Sequence, residues 1–377
     1  MISILHINGN YVGTALHQTM IEHLDSYTKN QVFAPIYPIT EDQLSIKPNK
    51  NVIISQCYKK RDRYFFSYKQ HKILKSLEEH LSVSDYNIVH AYTLFTDGNC
   101  AYNIKKKYGI PYIVAVRDSD VNAFFKKAPH LRSRGEAIMR ESERIIFLSD
   151  SYKNTVLSNY VSKRHLKEIN KKSIVIPNGI NDLWFDNLYL DRDVNKAISR
   201  FSKKELRIIT IGVITPRKNT LKTIEAIDIL KSRGWNIEFT VIGQPIDKDL
   251  LEKITQHQYV HYYDKMPMSD LISYYRSNDI FVMPSITETF GLTYVEALTQ
   301  QLPVIYSKGQ GFDKQFDDGY VGYPVDCNSA VDIANNIENI CNRYDVLVNN
   351  TIDSSRKYKW ESIISMYLNI YESIYRK

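Results

Sequence analysis

The chain has 377 residues, more than one ordinary domain needs, and its 43% hydrophobic and 24% charged content is that of a globular protein with sizeable cores. No run of eighteen apolar residues occurs, which argues against a spanning helix, and Cys57, Cys100, Cys327 and Cys341 lack CxxC spacing, which argues against a disulfide framework or zinc site and for a reducing cytoplasm. The net charge of +7 divides into +9 over residues 1–185 and −2 over 186–377, so the basic first half suits an anionic partner, phosphates or an acidic membrane surface, or a solvated face.

The opening MISILHING has an apolar stretch too short for a signal peptide and no basic leader, and reads as a first strand. Strand-length apolar runs follow at 32–35, 52–55, 88–90, 112–116, 145–149 and 174–177, with helical periodicity over 65–81 and 94–108. The polar run 181–205 lacks a clean period and is expected to hold a crossover between domains. A second series of strands is expected at 207–213, 238–242, 260–263, 279–284, 303–306 and 322–325, with helices starting near Thr220, Lys248, Ser269, Leu292 and Asn328. The tail SSRKYKWESIISMYLNIYESIYRK reads as one amphipathic helix with Ile363, Met366, Tyr367, Ile370 and Ile374 on a common face. Alternating strands and helices predict an α/β chain of two Rossmann-like, doubly wound domains facing across a cleft, with ligands at the carboxyl ends of the strands.

The densest chemistry lies in DIFVMPSITETFGLTYVEALTQQLPVIYS (279–307). A strand runs to Pro284, a polar loop follows, and Phe290-Gly291-Leu292 leads into a helix that stops before Pro303. Glu288 and Glu296 are eight residues apart, about 12 Å along an uninterrupted helix, too far for a tight acid/base dyad. Between them a helix N-terminus offers free amides and a positive dipole end, which suits a diphosphate. Carboxylates on either side are good acceptors for sugar hydroxyls, and Gly291 lets backbone approach a ligand.

This segment resembles glycosyltransferase family 4, whose hallmark is Glu-x7-Glu in a strand–loop–helix context beside Phe-Gly-Leu. The resemblance implies a GT-B fold, with an acceptor-binding domain over 1–185, a nucleotide-sugar donor-binding domain over 186–360, and a terminal helix over about 361–377 crossing back to the first domain. It implies that Glu296 binds the ribose hydroxyls and Glu288 the transferred sugar, with the backbone of Phe290, Gly291, Leu292 and Thr293 holding sugar and phosphate. In ELRIITIGVITPRKNTLKTIEAIDIL (205–230), Lys218 precedes a helix and is implied to neutralise the β-phosphate without any metal.

Two departures from the family pattern bear on the site. The arginine usual after the turn glycine is Val213 here; either Arg217, beside Lys218, or another cation supplies the missing charge, or the diphosphate is held less tightly. After the strand in PYIVAVRDSD (111–120) the family places a histidine, and this chain has Arg117-Asp118, read as a cleft-facing Arg117 or as an Arg117–Asp118 ion pair. The loop HINGNYVGT (6–14) makes Gly13 a donor-side candidate, and in HAYTLFTDG (90–98) His90 reads as a packed strand-end residue, with Tyr92 replacing a histidine common there.

The family implies front-face displacement with retention, with no cofactor and no metal. The partners it leads one to expect are a nucleotide-sugar donor, with UDP as the default base, and a glycan or lipid-linked acceptor, with no nucleic acid. The expected activity is transfer of a hexose or N-acetylhexosamine in bacterial surface polysaccharide biosynthesis (capsule, O-antigen, exopolysaccharide). A sugar-nucleotide 2-epimerase of the same fold and a catalytically silent paralogue stand as alternatives. An NAD-dependent oxidoreductase is disfavoured because neither half has GxGxxG with a following acidic residue. CYKKRDRYFFSYKQHK (57–72) reads either as an interfacial segment on an anionic bilayer, placing the protein peripherally at the inner face of the cell membrane, or as a solvated helix with Phe65 and Phe66 in the core.

Overall fold

The computed structural model describes residues 1–40, 44 and 50–376. Seven strands form one parallel sheet: β1 Ser3–Ile7, β2 Lys29–Pro35, β3 Val52–Ser55, β4 Ile88–Ala91, β5 Tyr112–Ala115, β6 Arg144–Phe147 and β7 Ser173–Val175. Six more form a second: β8 Glu205–Ile211, β9 Asn236–Ile242, β10 Val260–Tyr263, β11 Ile280–Val282, β12 Val304–Ser307 and β13 Gly322–Val325. Helices cover both faces of such sheets, so the central strands are buried on both sides and read as continuous apolar runs instead of alternating ones.

The sheet orders are β3-β2-β1-β4-β5-β6-β7 and β10-β9-β8-β11-β12-β13. Strand order therefore reverses between β1 and β4 in one sheet and between β8 and β11 in the other. Loops leaving the carboxyl ends at such a reversal diverge, and the crevice they leave is where doubly wound sheets bind ligands.

The chain divides into two compact units, one of Met1–Leu148, Lys153–Gly179 and Trp360–Lys377, the other of Ser149–Tyr152 and Ile180–Lys359. The tail returns to the first unit as the helix Trp360–Tyr375, which buries Trp360, Ile363, Ile364, Tyr367, Ile370, Tyr371 and Ile374 with Ile4, Ile88, Ile113 and Ile146. His90 Nδ1 is 2.7 Å from the Tyr371 hydroxyl, which fastens the tail to β4. Gly179 lies so close to Trp360 that a Cβ there would sit 2.5 Å from the indole ring.

Four details differ from the sequence reading. Met366 is exposed, because the buried stripe runs through 363, 367, 370 and 374 and leaves 366 at its edge. The tail is two helices: Ser354–Arg356 end the helix Tyr344–Arg356, and buried Tyr358 turns the chain before Trp360. The polar run 181–205 carries the helices Leu183–Asp186 and Val194–Ser202, the latter hidden from a periodicity reading because only Ala197 and Phe201 are buried. Phe65 is solvent-exposed and not in the core, while Phe66 is half-buried against Phe124, with ring centroids 6.0 Å apart.

Candidate functional site in the second unit

The loops after β8 and β11, on either side of the order reversal, are stitched together by main-chain and amide bonds. Ile286 N donates to Arg217 O (2.9 Å), and Asn219 Nδ2 donates to Pro284 O (3.0 Å) and Cys327 O (2.7 Å). Asn219 adopts left-handed φ of 60°, a conformation asparagine tolerates, and this ends the Pro216–Lys218 turn so that the helix Thr220–Ser232 can begin.

This stitching sets Lys218 against Glu288. Lys218 Nζ donates to Glu288 Oε2 at 2.7 Å, with the side chains only 13% and 12% exposed, so water screens the pair weakly. Burial lowers the Lys218 pKa, and the Glu288 carboxylate works in the opposite direction. Arg217 Nη1 is 3.7 Å from the same carboxylate oxygen and donates to Thr287 O at 2.6 Å, which brings a second cation to Glu288. The Glu288 main chain is held from the β12 side: its N–H donates to Gln310 Oε1 (2.9 Å), and its carbonyl accepts from Gly311 N (2.8 Å). Gly311 is required there, because a Cβ would lie 2.1 Å from Thr289 O.

The helix Leu292–Thr299 starts at Gly291, whose φ of 86° is left-handed and whose missing Cβ would collide with the Tyr294 ring at 2.4 Å. The first-turn amides of Leu292 and Thr293 have no intrahelical acceptor and form the positive end of the helix dipole. The Phe290 side chain is buried against Tyr358, leaving its backbone as the part that can serve a ligand. Glu296 lies one turn into the helix, half-buried, and accepts from the Tyr275 hydroxyl at 3.2 Å. Burial raises its carboxyl pKa to about 7, with the Tyr275 hydrogen bond and Lys218 pulling it back. Glu288 and Glu296 both bear electrostatically on Lys218, each opposing the effect of burial on its ammonium group.

Gly13 and Arg117 belong to the first unit. Gly13 lines a cavity of about 600 Å³ at the carboxyl ends of β1 and β2, together with Gly9, Asn10, Tyr37, Tyr58 and Lys60. Arg117 follows β5; its N–H donates to Asp120 Oδ2 (2.8 Å) and its Nε to Tyr92 O (3.3 Å). No Arg117–Asp118 ion pair exists among the described residues; Asp118 accepts from Asn122 instead. Sequence reasoning missed Tyr275 and Gln310, single polar residues with no motif, and Asp97, buried and joined to Gly9 N (3.1 Å) and Thr93 Oγ1 (3.0 Å). Among the described residues no group of three or more His, Cys, Asp or Glu gathers as metal ligands do.

Two doubly wound parallel sheets, with a carboxylate–lysine pair and open helix amides at the reversal of the second, define a class of α/β proteins whose ligand crevices lie at strand-order reversals. Comparison with known proteins narrows the class. Residues 191–357 match the family described as glycosyl transferases group 1, and residues 30–182 match Glycosyltransferase Family 4. The chain is 24% identical over 363 residues to the uncharacterized glycosyltransferase MJ1178 of Methanocaldococcus jannaschii, covering 93% of each chain. It is 27% identical to the capsular polysaccharide biosynthesis glycosyltransferase CapM of Staphylococcus aureus, over 59% of this chain and 60% of that one. The structure of Anabaena Alr3699/HepE in complex with UDP and glucose superposes with a TM-score of 0.67 at 14% identity, covering 99% of this chain and 100% of that one. The chain belongs to the family 4 glycosyltransferases of GT-B fold.

Proposed function

We propose that the chain is a retaining glycosyltransferase that moves a hexose or N-acetylhexosamine from a nucleotide diphosphate sugar to a glycan or lipid-linked acceptor, in the assembly of a bacterial surface polysaccharide. The observation that carries this reading is the Lys218–Glu288 pair beside the open amides of Leu292 and Thr293. UDP is the favoured donor base, which the likeness to the UDP-bound HepE structure supports, and a capsule-type product is supported by the likeness to CapM.

In this reading the second unit binds the donor. Glu296 accepts from the ribose hydroxyls, Glu288 orients the transferred sugar, and the backbone from Phe290 to Thr293 meets sugar and phosphate. Lys218 and Arg217 offset the charge of the departing diphosphate, without calling on a metal. The first unit binds the acceptor, with Arg117 adding positive charge and the loop of Gly13 lying beside the donor phosphates. The acceptor hydroxyl oxygen forms its bond to the anomeric carbon on the face from which the carbon–phosphate oxygen bond breaks. The diphosphate leaves with that electron pair, and a phosphate oxygen takes the hydroxyl proton.

A thermal-shift screen against UDP-, GDP-, ADP- and CMP-sugars in EDTA tests the reading, since donor binding stabilises by mass action. A shift with UDP-sugars that Glu296→Ala abolishes is the expected result. No shift with any donor, or a 2-epimerised sugar nucleotide as product, would overturn it. Arg117→Ala is a further check: normal donor affinity together with normal turnover would remove Arg117 from the reading.

A further inference from the structure

Residues 57–72 hold six basic side chains and one acid, Asp62. Asp62 is turned inward: its Oδ2 accepts from Lys59 N (2.9 Å) and Lys72 Nζ (2.7 Å), and the residue is only 3% exposed. It therefore neutralises Lys72 and leaves Lys59, Lys60, Arg61 and Arg63 facing solvent. Among these cations stand three large aromatic residues in water: Tyr64, 74% exposed, Phe65, 66%, and Tyr68, 55%. Cations lie over two of the rings, Arg63 at 4.9 Å from the Tyr64 centroid and Lys72 at 4.4 Å from that of Tyr68.

A second basic stretch adjoins the first in space. Phe66 meets Phe124, and Leu131 and Arg134 line one groove with Phe66, Gln70 and His71. The segment 121–135 carries Lys126, Lys127, Arg132 and Arg134 and no acidic residue. On its other side the patch reaches the cavity of the first unit, where Lys60 lies 4.9 Å over the Tyr37 ring and both residues line the wall.

We infer that Lys59–Tyr68, flanked by 126–134, is a docking surface for an anionic lipid bilayer. Phenyl and phenol rings settle at the level of lipid headgroups, and the cations around them are attracted to the negative surface. Phe65 carries no polar atom, so its 66% exposed ring would gain from cover by something apolar. A nucleic acid strand would be expected to lie along a basic groove lined by stacking rings; here the rings stand exposed on a short turn and the first turn of a helix. Among the described residues no helix is long and apolar enough to cross a membrane, so the attachment is peripheral and reversible. The docking rests on the proposed function only in that a membrane-borne acceptor would enter the adjoining cavity.

Flotation of the full chain with vesicles tests this, comparing phosphatidylglycerol–phosphatidylcholine mixtures with pure phosphatidylcholine at low and high salt. Expected are binding to the anionic vesicles alone, its loss at high salt, and weakening by ~10-fold in each of two double variants, Tyr64→Ser with Phe65→Ser and Arg61→Ser with Arg63→Ser. Their thermal shift with a nucleotide sugar should match wild type, which separates docking from donor binding and from misfolding. Failure of the wild type to float with anionic vesicles at low salt, or floating of both variants as wild type, would overturn the inference. So would retention on RNA or on an acidic protein while vesicles are ignored.

Discussion

Lys218 Nζ and Glu288 Oε2 lie 2.7 Å apart, joining the loop after β8 to the loop after β11 across the point where the strand order of the second sheet reverses. In the proposed function the pair puts a cation where a diphosphate would meet the amides of Leu292 and Thr293. Lys218→Ala is expected to reduce kcat by about 10²–10³-fold, the usual cost of losing one preorganised charge from a transition-state site. Steady-state kinetics paired with donor titration check this. Lys218→Arg keeps the charge in a different shape and should recover part of the loss.

Glu296 gives the second unit a pH dependence of known sign. Its carboxyl pKa stands at about 7 when folded, against 4.5 ordinarily, with burial the largest cause. Between those values the folded state holds the proton more tightly than the unfolded one. This stabilisation is therefore complete below about 4.5 and is lost as pH rises through about 7. Glu296→Gln should remove on the order of 2 kcal/mol of that pH dependence. Urea unfolding from pH 5 to 8, read by a probe in the second unit, measures it.

In the first unit the sign is opposite. Burial lowers the pKa of His6 to about 4 and that of His17 to about 3, and drives that of His90 well below its ordinary value. These groups stabilise the fold above about 6.5, and their contribution is lost as pH falls through the folded values. His17, whose Nδ1 has no hydrogen-bond partner among the described residues, is the one to replace. His17→Leu should reduce the loss of stability between pH 6.5 and 4, followed by the urea midpoint of the first unit.

Besides its buried apolar face, the tail helix makes a hydrogen bond and a close contact that can be tested separately. Tyr371→Phe leaves His90 Nδ1 without its partner in a fully buried site, and should cost about 1–2 kcal/mol. Gly179→Ala pushes a methyl group into the Trp360 ring and should cost about 1–3 kcal/mol, since overpacking forces the indole or the backbone aside. Calorimetric Tm values read both.

Most strands could be read from the chain because central parallel strands such as β4 and β12 are buried throughout and show as unbroken apolar runs. Helices that bury few residues were harder: Val194–Ser202 commits only Ala197 and Phe201 to the core and looks polar. Phe65 was misplaced when read as a core residue because hydrophobicity says what a side chain prefers, not whether a neighbour is there to cover it. Glu288, Glu296 and Lys218 stood out as candidates because they lie beside a glycine or a helix start and match a family pattern. Tyr275 and Gln310 were not, since sheet order alone brings the first to Glu296 and the second to Glu288. Arg117 could be found by its departure from a pattern, but its tie to the Tyr92 carbonyl could not.

Calorimetric titration of a UDP-sugar in EDTA, into wild type, Lys218→Ala and Glu296→Ala, tests the donor site most directly. Saturable one-to-one binding to the wild type is predicted, at least tenfold weaker in Lys218→Ala and undetectable in Glu296→Ala, with both variants folded. Equal affinity in all three proteins would contradict it.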